Sequence, residues 1–339
     1  MKVLLLAGGN SNEREVSLAS GAAVYRSLVR LKHTVFAIDA ATGKSLLTSD
    51  NKFIDIKTAA PGQLPVPASI DALSLAKTVG SPGFRDIDVV FIALHGGAGE
   101  NGAIQCLLEL GGKKFTGSGM TASAIAMDKA ISKRLVEAEG IRTPAWSVYR
   151  LGAKQVDDNL AADIASHFKL PIIVKPNDGG STIGLTKVTS DDQLVDALKE
   201  ARHESGDILI EEFIAGREMT VALLDGKPLP VVEIKPLNDL YDYEAKYTSG
   251  KSVYEVPAKI DVAIAKDLQE AAVKAYNAIG AAGLARVDFI LTDAGESYYL
   301  EVNTVPGMTD LSLAPMAAKE AGLEYDELIS SVLESTKTR

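Results

Sequence analysis

GLARVDFILTDAGESYYLEVNTVPGMT, running from Gly283 to Thr309, decides how this chain is read. It holds two β-rich runs, LARVDFIL and SYYLEVN, separated by the turn-forming TDAGE. Successive side chains of a strand alternate faces, so Arg286 and Asp288 share one face, and Glu301 and Asn303 share one. Val287, Phe289, Ile290, Leu291, Leu300 and Val302 make both strands core elements, where unpaired charge is costly. One reading needs no chemistry: Arg286 and Asp288 form a plain ion pair, and Glu301 and Asn303 face solvent on an edge strand. The apolar neighbours favour the other. Oxygen ligands spaced in this way suit Mg²⁺, which prefers one or two carboxylates plus substrate phosphates to an all-protein cage. An ATP-dependent enzyme follows from that reading.

Bulk properties narrow the field. A chain of 339 residues suits two or three domains better than one core. The net charge of −10, without any long Lys/Arg cluster, argues against nucleic acid as the natural partner and leaves room only for a local basic site. The single Cys106 excludes an internal disulfide, and within AIQCLLEL it reads as a buried, inert thiol. MKVLLLAGG has too short an apolar stretch for a signal peptide and fits a first β-strand. No apolar run approaches the length of a membrane span, so the expectation is a cytoplasmic protein without membrane insertion.

Working outward, the first third alternates β-rich runs (KVLLLAG, HTVFAID, IDVVFIALHG) with amphipathic helices (EVSLASGAAVYRSLVRL, GAIQCLLELGG). That alternation predicts an open parallel sheet. Residues 60 to 85, with Pro61, Pro65, Pro67 and Pro82, read as an irregular connection. GSGMTASAIAMDKAISKRLVEAEGIRTP reads as a helix running into a proline, with a domain boundary near residues 118 to 125. A second unit holds LPIIVKPNDGGSTIGLTKV, the helix DDQLVDALKEAR and the strand DILIEEFI. The third holds MTVALLDG, PLPVVEIKP, a polar loop, a helix from about Val262 to Ile279, and the two strands of the opening.

Several loops carry candidate chemistry. Lys175 ends the strand PIIVK, and in PNDGGSTIG the glycines let backbone N–H groups surround an anion while Ser181 and Thr182 add hydroxyls. A phosphate lid and an ordinary glycine-bearing hairpin both fit. It is not a Walker A loop. Gly97 to Gly102 forms a literal G-x-G-x-x-G after a strand, but no acidic residue follows about 20 positions on, so a dinucleotide site is not supported. An anion site at that helix start remains open. His95 either orients a carboxylate or caps the turn. Glu15 lies in the first turn of a helix capped by Ser11 or Asn12, where the helix dipole alone would account for it. Glu211 and Glu212 end a strand at a place suited to an adenine edge, although adjacent glutamates at a strand end are commonly solvated. Lys246 and Tyr247 belong either to a lid or to an ordinary surface loop.

Taken in order, HGGAGENG, AMDK, KPNDGGSTIG, EEFIAGRE, YDYEAKY, ARVDF and LEVNTVPGMT resemble the D-alanine:D-alanine ligases of the ATP-grasp superfamily over nearly the whole chain. The resemblance implies an α/β, three-domain ATP-grasp fold: an N-terminal open parallel (Rossmann-like) sheet domain over 1–120, a central subdomain over 121–211, and a C-terminal subdomain with the metal site over 212–339. Residue by residue, it implies that Lys129 and Lys175 contact the ATP phosphates. Glu211, with Glu212 and the backbone near Phe213, would hold adenine, and Glu218 the ribose. Asp288, Glu301 and Asn303 would bind two Mg²⁺, with Mn²⁺ as a substitute. Glu15 would hold the ammonium of the first D-alanine in a set with Ser181 and Tyr247, with His95 nearby. Lys246, Ser312 and Leu313 would receive the carboxylate of the second D-alanine. Arg286 and the Gly307 amide would stabilise the oxyanion.

The family departs from this chain in having Asp at the place of Asn101 and Ser at the place of Thr182, which leaves backbone cradling intact. Lys246-Tyr247 favours the dipeptide product over D-alanyl-D-lactate. A homodimer is the implied assembly. Two alternatives stand beside this reading: another ATP-grasp carboxylate–amine ligase, and a nucleotide-binding regulator without turnover.

Overall fold

VLLLA at the start of the chain forms most of β1 (Lys2–Ala7), and its unbroken apolar character has a structural cause. In a computed structural model that describes residues 1–55, 82–152, 156–180, 182–236 and 252–338, β1 lies between β2 (Thr34–Asp39) and β3 (Val89–Ile92). Both pairings are parallel. Val3, Leu5 and Ala7 face a core built with the helix Arg14–Arg30 and the C-terminal helices Leu313–Glu320 and Tyr325–Glu334. Leu4 and Leu6 face the opposite core, with Ile104 and Leu108 of the helix Ala103–Leu110. A parallel sheet covered on both faces requires such a run. The expected open parallel sheet is therefore present. The order β2-β1-β3 places chain connections on both sides of β1, and the loops at the carboxyl ends of β1 and β3 meet at that switch point.

The single helix expected through AMDK is in fact two, Met120–Met127 and Lys129–Ala138. Asp128 breaks them, being extended at ψ 95° and accepting the Ile131 N–H at 2.9 Å as an N-cap.

The second sheet holds β4 (Trp146–Arg150), β5 (Ile172–Pro176), β6 (Thr186–Val188) and β7 (Asp207–Glu212) in the order β4-β7-β5-β6, all antiparallel. Helices Asp158–His167 and Leu194–Glu204 cover one face through Ile164 and Leu198. After Glu212 the chain enters a third sheet of β8 (Arg217–Leu224), β9 (Lys227–Pro228), β10 (Val232–Pro236), β11 (Ser252–Glu255), β12 (Leu284–Leu291) and β13 (Ser297–Asn303). Its order is β11-β10-β8-β12-β13, with β9 on β8. Val136, Leu268, Ala272 and Tyr276, from the helices Lys129–Ala138 and Val262–Ala278, cover one face against Val221, Val287 and Phe289. Residues of the second and third sheets line one cleft. Among the described residues, no helix is long and apolar enough to cross a membrane.

Candidate active site

The polar face of β12 and β13 comes first because register fixes it. Asp288 lies opposite Glu301 and Arg286 opposite Asn303, so all four residues of the sequence reading converge. A β-bulge follows directly: Phe289 pairs with Tyr299, leaving Leu300 as the extra residue. Strict alternation would put Tyr299 on the face of Glu301. With the bulge, Tyr299 joins Val302 in the core, while Leu300 and Glu301 both line the cleft. On β12, Val287, Phe289 and Leu291 are buried in the core, and Asp288 and Ile290 point into the cleft.

Both early readings of this face hold some truth. Arg286 and Asp288 do form an ion pair, a bidentate one, with Nε to Oδ1 at 2.9 Å and Nη2 to Oδ2 at 2.8 Å. Thr220 of β8 adds a hydroxyl donor to Asp288 Oδ1 at 2.6 Å. Glu301 does sit on an edge strand, but it faces the cleft and meets Lys129 Nζ at 3.2 Å. Asn303 accepts the Val305 N–H at 2.9 Å and so shapes the following turn. Asp288, Glu301 and Asn303 together offer hard oxygen donors, the chemistry Mg²⁺ takes. Among the described residues no cluster of three or more His, Cys, Asp or Glu exists, so such a set must draw on the Asn303 amide and on substrate oxygens.

The other wall carries buried cations. Lys175 of β5 and Lys133 of the helix Lys129–Ala138 each place Nζ 2.7 Å from a different oxygen of Glu211. Glu211 is only 2% exposed. Burial opposes its charge, yet the ammoniums of Lys133 and Lys175 prevail and hold the carboxyl down at about 2. Burial likewise pushes the Lys133 ammonium below its usual range, and Glu211 offsets part of that. Lys133 and Lys175 thus each face one Glu211 oxygen, and Glu211 lines the cleft beside Glu212 and Phe213. Lys129 Nζ donates to the Gly179 carbonyl at 2.5 Å, tying the helix to the 176–184 hairpin. Asn177 strengthens that joint: its side-chain oxygen accepts the Ala130 N–H and its carbonyl the Lys129 N–H.

Lys129, Lys175, Glu211, Glu212, Phe213, Glu218, Asp288 and Glu301 therefore line one cleft, with an empty volume of about 960 Å³ including its open mouth. Ile173, Ile214, Ile290 and Leu300 supply apolar walls suited to a planar base; Ile290 and Leu300, read from the sequence as core, lie on the cleft face instead. Two were readable from period 2, since Ile173 stands two residues before Lys175 and Ile290 two after Asp288.

At the switch point the structure brings forward a residue that the sequence reading missed. Glu13, 8% exposed, directs its carboxylate between two glycine loops. A Cβ at Gly96 would lie 2.7 Å from Glu13 Oε2, and one at Gly180 would lie 2.9 Å from it. Glu15 is half-buried in the first turn of the helix Arg14–Arg30. The carboxylate at the junction of the His95 loop and the 176–184 hairpin is thus Glu13's. Neither Ser11 nor Asn12 caps that helix: Glu13 occupies the N-cap position. Ser11 Oγ donates instead to the His95 carbonyl and accepts the Glu13 N–H. Arg14, bidentate to Asp39 and donating to the Gly9 carbonyl, braces the same loop.

His95 does not cap the turn with its side chain. It is buried between Ser20 Oγ, 3.0 Å from Nε2, and Glu100 Oε1, 3.6 Å from Nδ1. Burial raises the Glu100 carboxyl, and His95 partly offsets this. The glycines of the G-x-G-x-x-G stretch serve packing: Gly102, at φ +93°, would place a Cβ 2.6 Å from the Met120 carbonyl oxygen. Asn101 Oδ1 takes the Ala103 N–H at the helix start held open for an anion. Cys106, read as buried, is half-buried, on the outer side of its helix. Gly307 precedes the helix Leu313–Glu320, and a side chain there would meet Ser312 Oγ at 2.8 Å. Ser312 is the N-cap and accepts the Thr309 N–H at 3.0 Å, with Leu313 next in the chain. Ser181, Lys246 and Tyr247 lie outside the described residues.

Two sheets clasping a cleft, with buried lysines on one wall and register-paired carboxylates on the other, make this an ATP-grasp fold. Residues 2–118 match the family model described as D-ala D-ala ligase N-terminus, and residues 135–334 that described as D-ala D-ala ligase C-terminus. The chain belongs to the D-alanine–D-alanine ligase family. It is 40% identical over 338 residues to the D-alanine–D-alanine ligase of Syntrophotalea carbinolica, covering 100% of this chain and 97% of that one. Among solved structures it is similar to the D-alanine–D-alanine ligase of Bacillus anthracis complexed with ATP, at TM-score 0.77 and 28% identity, covering 100% of this chain and 98% of that one. The VanG D-Ala:D-Ser ligase of Enterococcus faecalis is similar at TM-score 0.79 and 28% identity, covering 99% of each chain.

Proposed function

We propose that the protein uses ATP to join two D-alanine molecules into D-alanyl-D-alanine, with ADP and phosphate as the other products, for peptidoglycan precursor synthesis. The observation that carries this reading is the cleft itself: Lys129 and Lys175 line it together with Asp288 and Glu301, beside the apolar walls of Ile173, Ile214, Ile290 and Leu300. Amide formation from a carboxylate needs a better leaving group than oxide. A carboxylate oxygen of the first D-alanine attacks the γ-phosphorus, ADP departs, and an acyl phosphate remains. Lys129 and Lys175 spread the charge on the phosphate oxygens, with Glu211 acting on the nucleotide through its grip on Lys175. Glu211, with Glu212 and the backbone near Phe213, holds the adenine edge, and Glu218 the ribose. Asp288, Glu301 and Asn303 would hold two Mg²⁺ ions, or Mn²⁺ in their place, which would supply positive charge against those oxygens.

The amine of the second D-alanine then attacks the carbonyl carbon, loses a proton, and expels phosphate. Arg286 and the Gly307 N–H stabilise the tetrahedral oxyanion, each such donor being worth about 3 kcal/mol. The geometry of the 8–13 loop favours Glu13 over Glu15 as partner of the first ammonium, beside His95 and with Ser181 and Tyr247 completing the set. Ser312, Leu313 and Lys246 receive the second carboxylate, for which a helix N-terminus is electrostatically suited. The chain divides into domains 1–120, 121–211 and 212–339 on this reading, and the enzyme works as a cytoplasmic homodimer.

The similarity to a D-Ala:D-Ser ligase gives a specific second reading, in which D-serine is the acceptor. Phosphate release from ATP and Mg²⁺ is measured with D-alanine alone, then with D-serine or D-lactate added, and products are identified by mass. D-Alanyl-D-alanine from D-alanine alone is the expected result. Release only with another acceptor overturns the proposed product while leaving the fold intact.

A further inference from the structure

Ser20 sits in the middle of the helix Arg14–Arg30, is 0% exposed, and is the one described side chain with hydrogen bonds to both His95 and the turn after Gly307. Its Oγ accepts the Met308 N–H at 3.2 Å and lies 3.0 Å from His95 Nε2. A hydroxyl has one proton to give. His95 Nδ1 lies 3.6 Å from Glu100 Oε1, the oxygen that also accepts the Gly96 N–H, so this side of the ring meets an acceptor and Nδ1 carries the ring proton. Nε2 is then an acceptor, and the Ser20 proton goes to it. The result is one chain of donors and acceptors: Glu100, His95, Ser20 and the Met308 amide. Although Ser, His and Glu stand in the order of a hydrolase triad, full burial of Ser20 denies its Oγ any substrate.

The Met308 N–H and the Gly307 carbonyl share one rigid peptide plane. Gly307 is the residue whose backbone would otherwise turn most freely. Tyr325 holds the other side of Met308, its hydroxyl donating to the Met308 carbonyl at 2.5 Å. We infer that Ser20 is a positioning residue for the ligation, setting the His95 tautomer and the orientation of the Gly307–Met308 peptide at once, so that the substrate side of His95 and the oxyanion turn are aligned through one buried hydroxyl. This rests on the Gly307 role proposed above.

Ser17 provides an internal control. It lies one turn earlier, is equally buried, and donates to the Ala93 carbonyl at 2.6 Å, touching neither His95 nor the turn. The test compares Ser20→Ala and Ser17→Ala in the full-length enzyme by kcat, by KM for ATP, and by the ¹⁵N signals of the His95 ring, assigned by their loss in His95→Gln. Ser20→Ala is expected to lower kcat about tenfold, the scale of one hydrogen bond, to leave KM for ATP unchanged, and to shift the His95 Nε2 signal. Ser17→Ala is expected to move neither kcat nor that signal. If Ser20→Ala does not fold, Ser20→Cys, nearly equal in volume but a weak donor, is read in the same way. An unmoved His95 signal, or a kcat loss that Ser17→Ala matches, overturns the inference. The ring signal is read without substrate, so an enzyme that makes no dipeptide would defeat the ligase reading and still report on Ser20.

Discussion

The two walls of the cleft handle buried charge in opposite ways. On the β5–β7 wall, two ammoniums enclose one carboxylate, and Lys133 and Glu211 are sealed from water. On the β12–β13 wall, the carboxylates Asp288 and Glu301 are held by Arg286 and Lys129, and the Glu301 side chain remains 28% exposed to the cleft. The first wall is a fixed cross-link that carries one positive charge in excess. The second is a set of pairs that the open cleft reaches. The contrast teaches that the same ion-pair chemistry serves as scaffold where water is excluded and as machinery where the cleft reaches it.

The largest effect should come from breaking the sealed pair. Glu211→Ala leaves two buried ammoniums without their counter-ion and should cost about 3–5 kcal/mol of stability, read as a lower denaturant midpoint. A midpoint equal to wild type would remove the scaffold role. Arg286→Ala tests the opposite wall: kcat should fall about 10²- to 10³-fold, with little change in KM, and near-normal turnover would remove the oxyanion assignment.

Acid titration separates the walls further. The Glu211 carboxyl is held at about 2 against an ordinary value of 4.5. A carboxyl depressed in the folded state stabilises above its unfolded value, and the contribution is lost as pH falls through the folded one. Wild type should therefore lose up to about 3 kcal/mol through this group, between about pH 4.5 and about pH 2. Glu211→Gln should lack that limb; equal acid limbs in the two proteins would show that the pairing does not govern this window. The smallest expected effect is on metal demand. Asp288→Asn should raise the Mg²⁺ concentration for half-maximal activity about tenfold or more, and an unaltered Mg²⁺ dependence would take Asp288 out of the ligand set.

Strand periodicity made Arg286, Asp288, Glu301 and Asn303 legible, because side-chain direction in a strand follows from position alone. The bulge at Leu300 was not legible, since it depends on which residue Tyr299 pairs with across the sheet. Glu15 and Glu13 differ by two positions in NSNEREVS, and nothing local says which one reaches the glycine loops. Arg14 and Asp39 decide that, from separate elements, by bracing the loop before the helix. Lys133 was readable in principle, four residues after Lys129 and so on the same helical face. Its pairing with Glu211 joins segments far apart in the chain and was not.

What the sequence determined by itself is local and periodic: a buried parallel strand from VLLLA, the polar face of β12, a glycine hairpin after Lys175, and motifs in an order that points to one family. Only the tertiary structure decided which carboxylate meets which cation. It set Glu211 between two lysines, placed Glu13 at the junction of the loops, and joined Ser20 to both His95 and Met308. The physical reason is that alternation and helical period act between neighbours in the chain. Burial and ion pairing act between neighbours in space, and these are brought together only when the sheets close on their cores.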